Sequence, residues 1–198
     1  MKAAILLNGE PYSGEICADR VYCCDGAYTW AKGRVEIYKN LGDFDSLTEL
    51  PDPPPTEVYP SEKDFTDGEI ALKQAIADGA DEVVIYGGFG GRSDHFLGNL
   101  QLLYAAHAQG VKCSMVSEKE RAFAASGKII FSGLRGKTVS VLPFGGPLHI
   151  MDSAGLKYSY PDEIGYGECR GISNICERDE AFVEVDGVAL VIINGGKV

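Results

Sequence analysis

At 198 residues, with 45% hydrophobic and 24% charged, the chain is an ordinary globular sequence long enough for one large domain or two small ones. A formal net charge of −11 argues against nucleic acid or an anionic membrane surface as partner. It leaves an anionic small molecule open, because a metal and a few basic groups can reverse the field locally.

Lys2 precedes only a short apolar run over 3–7, too brief for a signal-peptide core, and no stretch reaches transmembrane length. A cytoplasmic location is therefore expected. The six cysteines, Cys17, Cys23, Cys24, Cys113, Cys169 and Cys176, form no C-x-x-C pair and no zinc spacing with the three histidines. All six are expected to be reduced core residues.

In chain order, 3–7 reads as a buried strand closed by Asn8-Gly9, and 21–24 as a second. Asp25-Gly26-Ala27 follows, leading into a short helix through Trp30 that Gly33 stops. Asp25 is there either as the N-cap or as a site residue just past a strand end. Residues 35–38 read as a third strand, running into Gly42-Asp43-Phe44-Asp45-Ser46. Two carboxylates two residues apart in an extended segment lie on one side of the chain. At a separation of about 4 Å they would repel without a cation, whereas Mg²⁺ takes one or two carboxylates together with phosphate oxygens and water. The competing reading is a polar turn with aspartate caps.

Pro51, Pro53, Pro54, Pro55 and Pro60 then predict a stiff connector. Thr66 and Glu69 have capping-box spacing, and Ile70, Ala71, Leu72, Ala75 and Ile76 mark a helical face ending at Gly79. A cap accounts for Thr66 and Asp67 by itself. Lys63, Asp64 and Asp67 also gather a cation and two anions at that helix N-terminus, a place suited to phosphate. A strand over 82–86 leads to Gly87-Gly88-Phe89-Gly90-Gly91-Arg92-Ser93-Asp94-His95, whose glycines admit a ligand close to the backbone while Arg92 offers a planar fork for phosphate. His95 is as readily a cap or surface residue as a catalytic one. The next helix is expected to turn Leu97, Leu100, Leu103 and Tyr104 inward and to end at Gly110, before a strand over 111–116.

Alternating strands and helices predict a mostly parallel sheet covered by helices on both faces. Ligands bind beyond the carboxyl ends of such strands. Asp25, Asp43, Asp45, Arg92 and Asp94 all fall in loops following predicted strands, so a phosphate and Mg²⁺ site is expected on that rim. From about residue 121 the runs 128–131, 137–142, 148–151 and 181–193 are short and β-rich, and Asp186-Gly187 carries a two-residue hairpin signal. The expected architecture is α/β over 1–120 followed by a small all-β sandwich over 121–198.

The order Asp25-Gly26-Ala27, Gly42-Asp43-Phe44-Asp45-Ser46, Lys63-Asp64-Phe65-Thr66-Asp67, Gly91-Arg92-Ser93-Asp94-His95, Gly155-Leu156-Lys157 and Ser173-Asn174 resembles the thiamine pyrophosphokinase family. The resemblance implies an α/β nucleotide-binding domain, a β-sandwich, and a homodimer with thiamine at the subunit interface. It implies transfer of diphosphate from ATP to the thiamine hydroxyl, with Mg²⁺ as cofactor and AMP released. By resemblance, Asp43, Asp45 and Asp67, with Asp25, hold Mg²⁺, and Arg92 and Lys63 neutralise developing charge, with Asp45 favoured as proton acceptor. Asp25, Lys63, Asp64, Thr66, Arg92, Asp94 and His95 border the nucleotide, and Tyr158, Ser173 and Asn174 the thiamine. Tyr158 stands where the family pattern usually has Trp. Two other readings remain: an Mg²⁺-dependent phosphatase with an Asp nucleophile in Asp43-Phe44-Asp45, and a non-catalytic nucleotide-sensing module.

Overall fold

The computed structural model describes residues 1–44, 51–54 and 64–195. Two compact units divide it, Met1–Glu118 and Lys119–Val198. In the first, strands β1 (Lys2–Leu6), β2 (Arg20–Cys24), β3 (Lys39–Leu41), β4 (Glu82–Tyr86) and β5 (Lys112–Val116) pair in parallel, in the order β5-β4-β1-β2-β3. Near-continuous apolar runs such as Ala3-Ala4-Ile5-Leu6 suit strands buried on both faces.

A 3₁₀ turn (Asp25–Ala27) and helix α1 (Tyr28–Ala31) cover one face, where Ala27, Tyr28 and Ala31 pack with Ala4, Leu6, Val21, Cys23, Val84 and Tyr86. Alternate residues point to the other face. Helix α2 (Asp67–Ala77) lies there across β1, β2 and β3, beside α3 (Ser93–Ala108), which packs on β5. Thr66 caps α2, its Oγ1 accepting from Glu69 N at 3.2 Å. At the other end Asp78 ties the helix to the sheet: Oδ2 accepts from the Tyr22 hydroxyl at 2.8 Å and Lys39 Nζ at 2.9 Å, and Oδ1 from Gln74 Nε2 at 3.0 Å.

In the second unit β6 (Glu120–Ser132), β7 (Thr138–Pro143), β8 (Leu148–Ala154), β9 (Glu163–Ile164), β10 (Asn174–Ile175) and β11 (Glu180–Asn194) pair antiparallel. Their core is Phe131, Val139, Val141, Leu148, Val183, Val191 and neighbours.

Four local expectations are corrected. The third strand is Lys39–Leu41 rather than 35–38, because Asn40 and Leu41 enter the β2 ladder opposite Cys23 and Cys24. Asp186-Gly187 does not close a hairpin. It lies within β11, which pairs with β6 on one edge and on the other passes from β8, through Phe182–Asp186, to β7, through Ala189–Asn194. The irregularity bends a strand shared by both edges, a device for turning a sandwich corner. On α3, Leu102 is buried and Leu97 is 60% exposed, since the helix meets the sheet through Leu100, Leu103 and Ala106. Of the cysteines, Cys23, Cys24, Cys113 and Cys176 are buried but Cys17 and Cys169 are exposed; all six are free thiols.

Candidate active site

Beyond the carboxyl ends of β1, β2, β3 and β4 lies a cleft of about 620 Å³. Its lining combines Asn8 and Gly9 after β1, Cys24 and Asp25 at the end of β2, and Asp43 after β3. The N-terminus of α2 adds Phe65, Thr66, Asp67 and Gly68; the β4–α3 segment adds Gly90, Gly91, Arg92, Asp94, His95, Gly98 and Asn99. Two helix N-termini therefore open on one cavity, each with backbone N–H groups and the positive end of a helix dipole.

Close backbone approach assembles this rim. A Cβ on Gly42 would meet Asp25 Cβ at 2.9 Å, and Gly42 has φ +145°, so glycine lets the third loop settle directly on Asp25. A Cβ on Gly9 would meet the Phe89 and Gly87 carbonyl oxygens at 2.4 and 2.5 Å, which binds the β1 loop to the glycine-rich loop. Asp25 itself is left-handed, φ 38°, in the 3₁₀ turn; the residue at the cap position is Cys24 and no side chain caps the turn. Cys24 Sγ donates to the Asp67 carbonyl at 3.6 Å, joining β2 to the start of α2.

Arg92 forms a two-point pair with Asp94, Nε to Oδ1 at 3.1 Å and Nη2 to Oδ2 at 2.6 Å. That guanidinium holds the Asp94 carboxyl down to about 2, and the His95 backbone N–H adds a bond at 2.9 Å. Burial pushes the Cys23 thiol up to about 12, with the Asp25 charge adding to it, so it is a neutral thiol beneath the site.

Of the expected nucleotide-site residues, Asp25, Asp43, Thr66, Asp67, Arg92, Asp94 and His95 line this cleft. Asp64 is exposed and outside the lining, and Asp45 and Lys63 lie outside the described residues. Sequence reasoning missed Asn8, Phe65 and Asn99. Asn8 follows a strand like the aspartates and could have been found by the same rule; Asn99 is a turn into α3, where its Nδ2 donates to the Gly88 carbonyl at 2.9 Å. Among the described residues no three His, Cys, Asp or Glu side chains gather as a metal site. The cleft acids are all hard carboxylates, and Mg²⁺ asks for only one or two of these with phosphate and water, so the donor chemistry fits that ion.

The second unit gathers its own sequence-distant residues. Lys157 N donates to the Ile175 carbonyl at 2.9 Å and Glu177 N to that of Gly155 at 2.8 Å. Asn174, 3% exposed, accepts from Tyr158 N at 3.0 Å and donates to Tyr158 O at 2.8 Å. The Tyr158 ring stands outward, 54% exposed, with Lys157 Nζ 5.3 Å from its centroid. Ser173 is left-handed, φ 59°, and its N–H donates to Ser140 Oγ at 3.0 Å.

A parallel sheet with a polar cleft at its carboxyl edge is the frame of an α/β enzyme that binds a small molecule. Residues 16–115 match the model of the thiamin pyrophosphokinase catalytic domain, and 128–190 that of the thiamin pyrophosphokinase vitamin B1 binding domain. A curated relative, thiamine pyrophosphokinase of Bacillus subtilis (strain 168), is 35% identical over 162 residues, 77% of this chain and 76% of that protein. Among solved structures, Bacillus subtilis thiamine pyrophosphokinase aligns with TM-score 0.84 at 24% identity, over 100% of both chains. Thiamin pyrophosphokinase of Geobacillus thermodenitrificans aligns with TM-score 0.80 at 25% identity, over 100% of this chain and 99% of that one. That of Candida albicans gives 0.72 at 16%, over 97% and 88%. The chain belongs to the thiamin pyrophosphokinase family, and its activity is that of a thiamine diphosphokinase.

The phosphatase and sensor readings are not favoured by these matches.

No helix among the described residues is long and apolar enough to cross a membrane.

Proposed function

We propose that the cleft of the first unit binds Mg²⁺·ATP and that the chain transfers the terminal diphosphate to the hydroxyl of thiamine, releasing AMP. The observation carrying this reading is the convergence of Asp25, Asp43, Asp67 and Arg92 on one cavity with two helix N-termini. Asp25, Asp43 and Asp67 are the described cleft acids from which one or two would hold Mg²⁺ together with phosphate oxygens and water, and Asp45 joins them by family resemblance. When bound, the ion neutralises phosphate charge and polarises the phosphoryl group under attack.

The chain's own groups do the rest. Amides at the starts of α2 and α3 receive phosphate oxygens, and Arg92 turns its fork from Asp94 toward the transferring group, with Lys63 as a second cation. Thr66, Asp94 and His95 border the nucleotide in the cleft, and Asp64, outside the lining, joins them by family resemblance alone. The thiamine oxygen forms its bond to the β-phosphorus as the bond between that phosphorus and the α–β bridging oxygen breaks. AMP leaves with that oxygen, and a carboxylate of the acidic loop, Asp45 for preference, takes the hydroxyl proton. Positioning and electrostatics supply most of the rate.

In the second unit Tyr158 offers an exposed face on which the cationic thiamine ring can stack. Ser173 joins the pocket by family resemblance, and Asn174 fixes the Tyr158 backbone. A homodimer completes the thiamine pocket, and the enzyme works in the cytoplasm. The assignment of the cleft is tested by Asp43→Asn and Asp67→Asn. Each is expected to lower turnover on the order of a hundredfold or more while the fold persists. Near-parental turnover of either variant in excess Mg²⁺ would remove that residue from the metal site.

A further inference from the structure

The glycine-rich loop between β4 and α3 has its first three carbonyls taken. Gly9 N donates to Gly87 O at 2.8 Å and Glu10 N to Phe89 O at 2.7 Å, so the segment after β1 holds two of them. The third, Gly88 O between these two, accepts from Asn99 Nδ2 at 2.9 Å, a side chain on the second turn of α3. That acceptor fixes which end of the Asn99 amide is the donor end. Gly88 is also pressed against β5, where a Cβ would drive into the fully buried Met115.

In a trans peptide the carbonyl and the following N–H point in opposite directions. Holding Gly88 O and Phe89 O therefore turns the N–H groups of Phe89 and Gly90 the other way. Among the described residues, the N–H groups of Phe89, Gly90 and Gly91 donate to no protein acceptor. Gly90 and Gly91, left-handed at φ 70° and 68°, line the cleft, and Arg92 follows them into the start of α3. So glycine-rich a segment has many conformations open to it and keeps one only where its surroundings hold it. Without Asn99, the carbonyls of 87–89 would be held from the β1 side alone.

We propose that Asn99 is a positioning residue: through the Gly88 carbonyl it fixes the glycine-rich loop to α3, so that the N–H groups of Gly90 and Gly91 and the fork of Arg92 meet the nucleotide phosphates together. Its amide nitrogen is engaged by the loop, and its effect on the reaction passes through that backbone. This inference rests on the cleft being the Mg²⁺·ATP site.

Trp30, the only tryptophan, reports on this loop: its Nε1 donates to Leu7 O at 3.2 Å, and a Cβ on Gly87 would meet its ring at 3.2 Å. Its fluorescence is titrated with a non-hydrolysable ATP analogue in excess Mg²⁺ for the parent, Asn99→Leu, Asn99→Gln and Arg92→Ala, and the KM values for ATP and thiamine are measured beside it. Leucine has nearly the shape of asparagine and no donor; glutamine restores the amide on a longer stem. Asn99→Leu should weaken the analogue and raise the KM for ATP on the order of tenfold or more, with the KM for thiamine near the parent's. Asn99→Gln should recover part of that loss. If Asn99→Leu does not fold, Asn99→Ala takes its place. Parental nucleotide affinity in Asn99→Leu beside a weakened Arg92→Ala would overturn the positioning role and leave the cleft assignment standing. Equal rises in both KM values, unrelieved by glutamine, would show a merely structural residue and overturn it too. Parental affinity in Arg92→Ala and Asn99→Leu alike would overturn the cleft assignment and the positioning role with it.

Discussion

Gly42 shows at the scale of one residue how the rim is made. Any side chain there would drive into Asp25, at 2.9 Å from its Cβ and 3.2 Å from its backbone, and would also have to accept φ 145°. Gly42→Ala is therefore expected to destabilise the chain by roughly 1–3 kcal/mol, as backbone strain of this kind does. Activity should fall further than that loss implies, since the displaced groups are Asp25 and Asp43. Denaturant unfolding and turnover at saturating Mg²⁺ check the two parts, and a variant with parental values in both would show that the contact relaxes harmlessly. Arg92 carries a second lesson at this scale. It is paired with Asp94 at two points, so in the proposed function a phosphate would compete with that carboxylate for the guanidinium.

At the scale of elements, α2 is oriented from both ends, by the Thr66 cap facing the cleft and by Asp78 facing the opposite edge of the sheet. Lys39, Tyr22 and Gln74 hydrogen-bond the Asp78 carboxylate and, Lys39 foremost, hold its pKa below the ordinary value. A depressed folded pKa means stability that is fully present above the unfolded value of 3.8 and is lost as pH falls through the lower folded one. Asp78→Asn should cost about 1–2 kcal/mol at neutral pH, with the rim position screening the charges, and should flatten the decline in stability below about pH 4. Urea titrations between neutral and acid pH check this; parallel parent and variant curves would contradict it.

The elements also show what patterning could and could not reveal. Runs such as Glu82–Tyr86 and the Thr66–Glu69 cap were legible because their signals are local. The position of β3 was not, because Lys39 and Asn40 look like loop residues until the β2 ladder and the hydrogen bond from Asn40 Nδ2 to the Pro53 carbonyl are known. Asp186-Gly187 misled for the related reason that a turn dipeptide also serves as a bend within a long strand. In the cleft, Asp25, Asp43 and Arg92 were recognisable from strand-end placement, whereas Phe65 and Asn99 depend on which way a helix start faces.

For the whole molecule, division of labour between the two units is the main expectation. Tyr158→Ala and Ser173→Ala should raise the KM for thiamine much more than that for ATP, because both residues proposed to meet thiamine belong to the second unit and the nucleotide cleft to the first. The parent should sediment as a dimer at micromolar concentration. Unchanged thiamine KM in both variants, or a fully active monomer, would contradict the proposed pocket. The central claim is the transfer of an intact diphosphate, and product analysis addresses it most directly. Incubation with ATP, Mg²⁺ and thiamine should yield AMP and thiamine diphosphate in equal amounts, with neither formed when thiamine is omitted. ADP or inorganic phosphate as the principal product would contradict it.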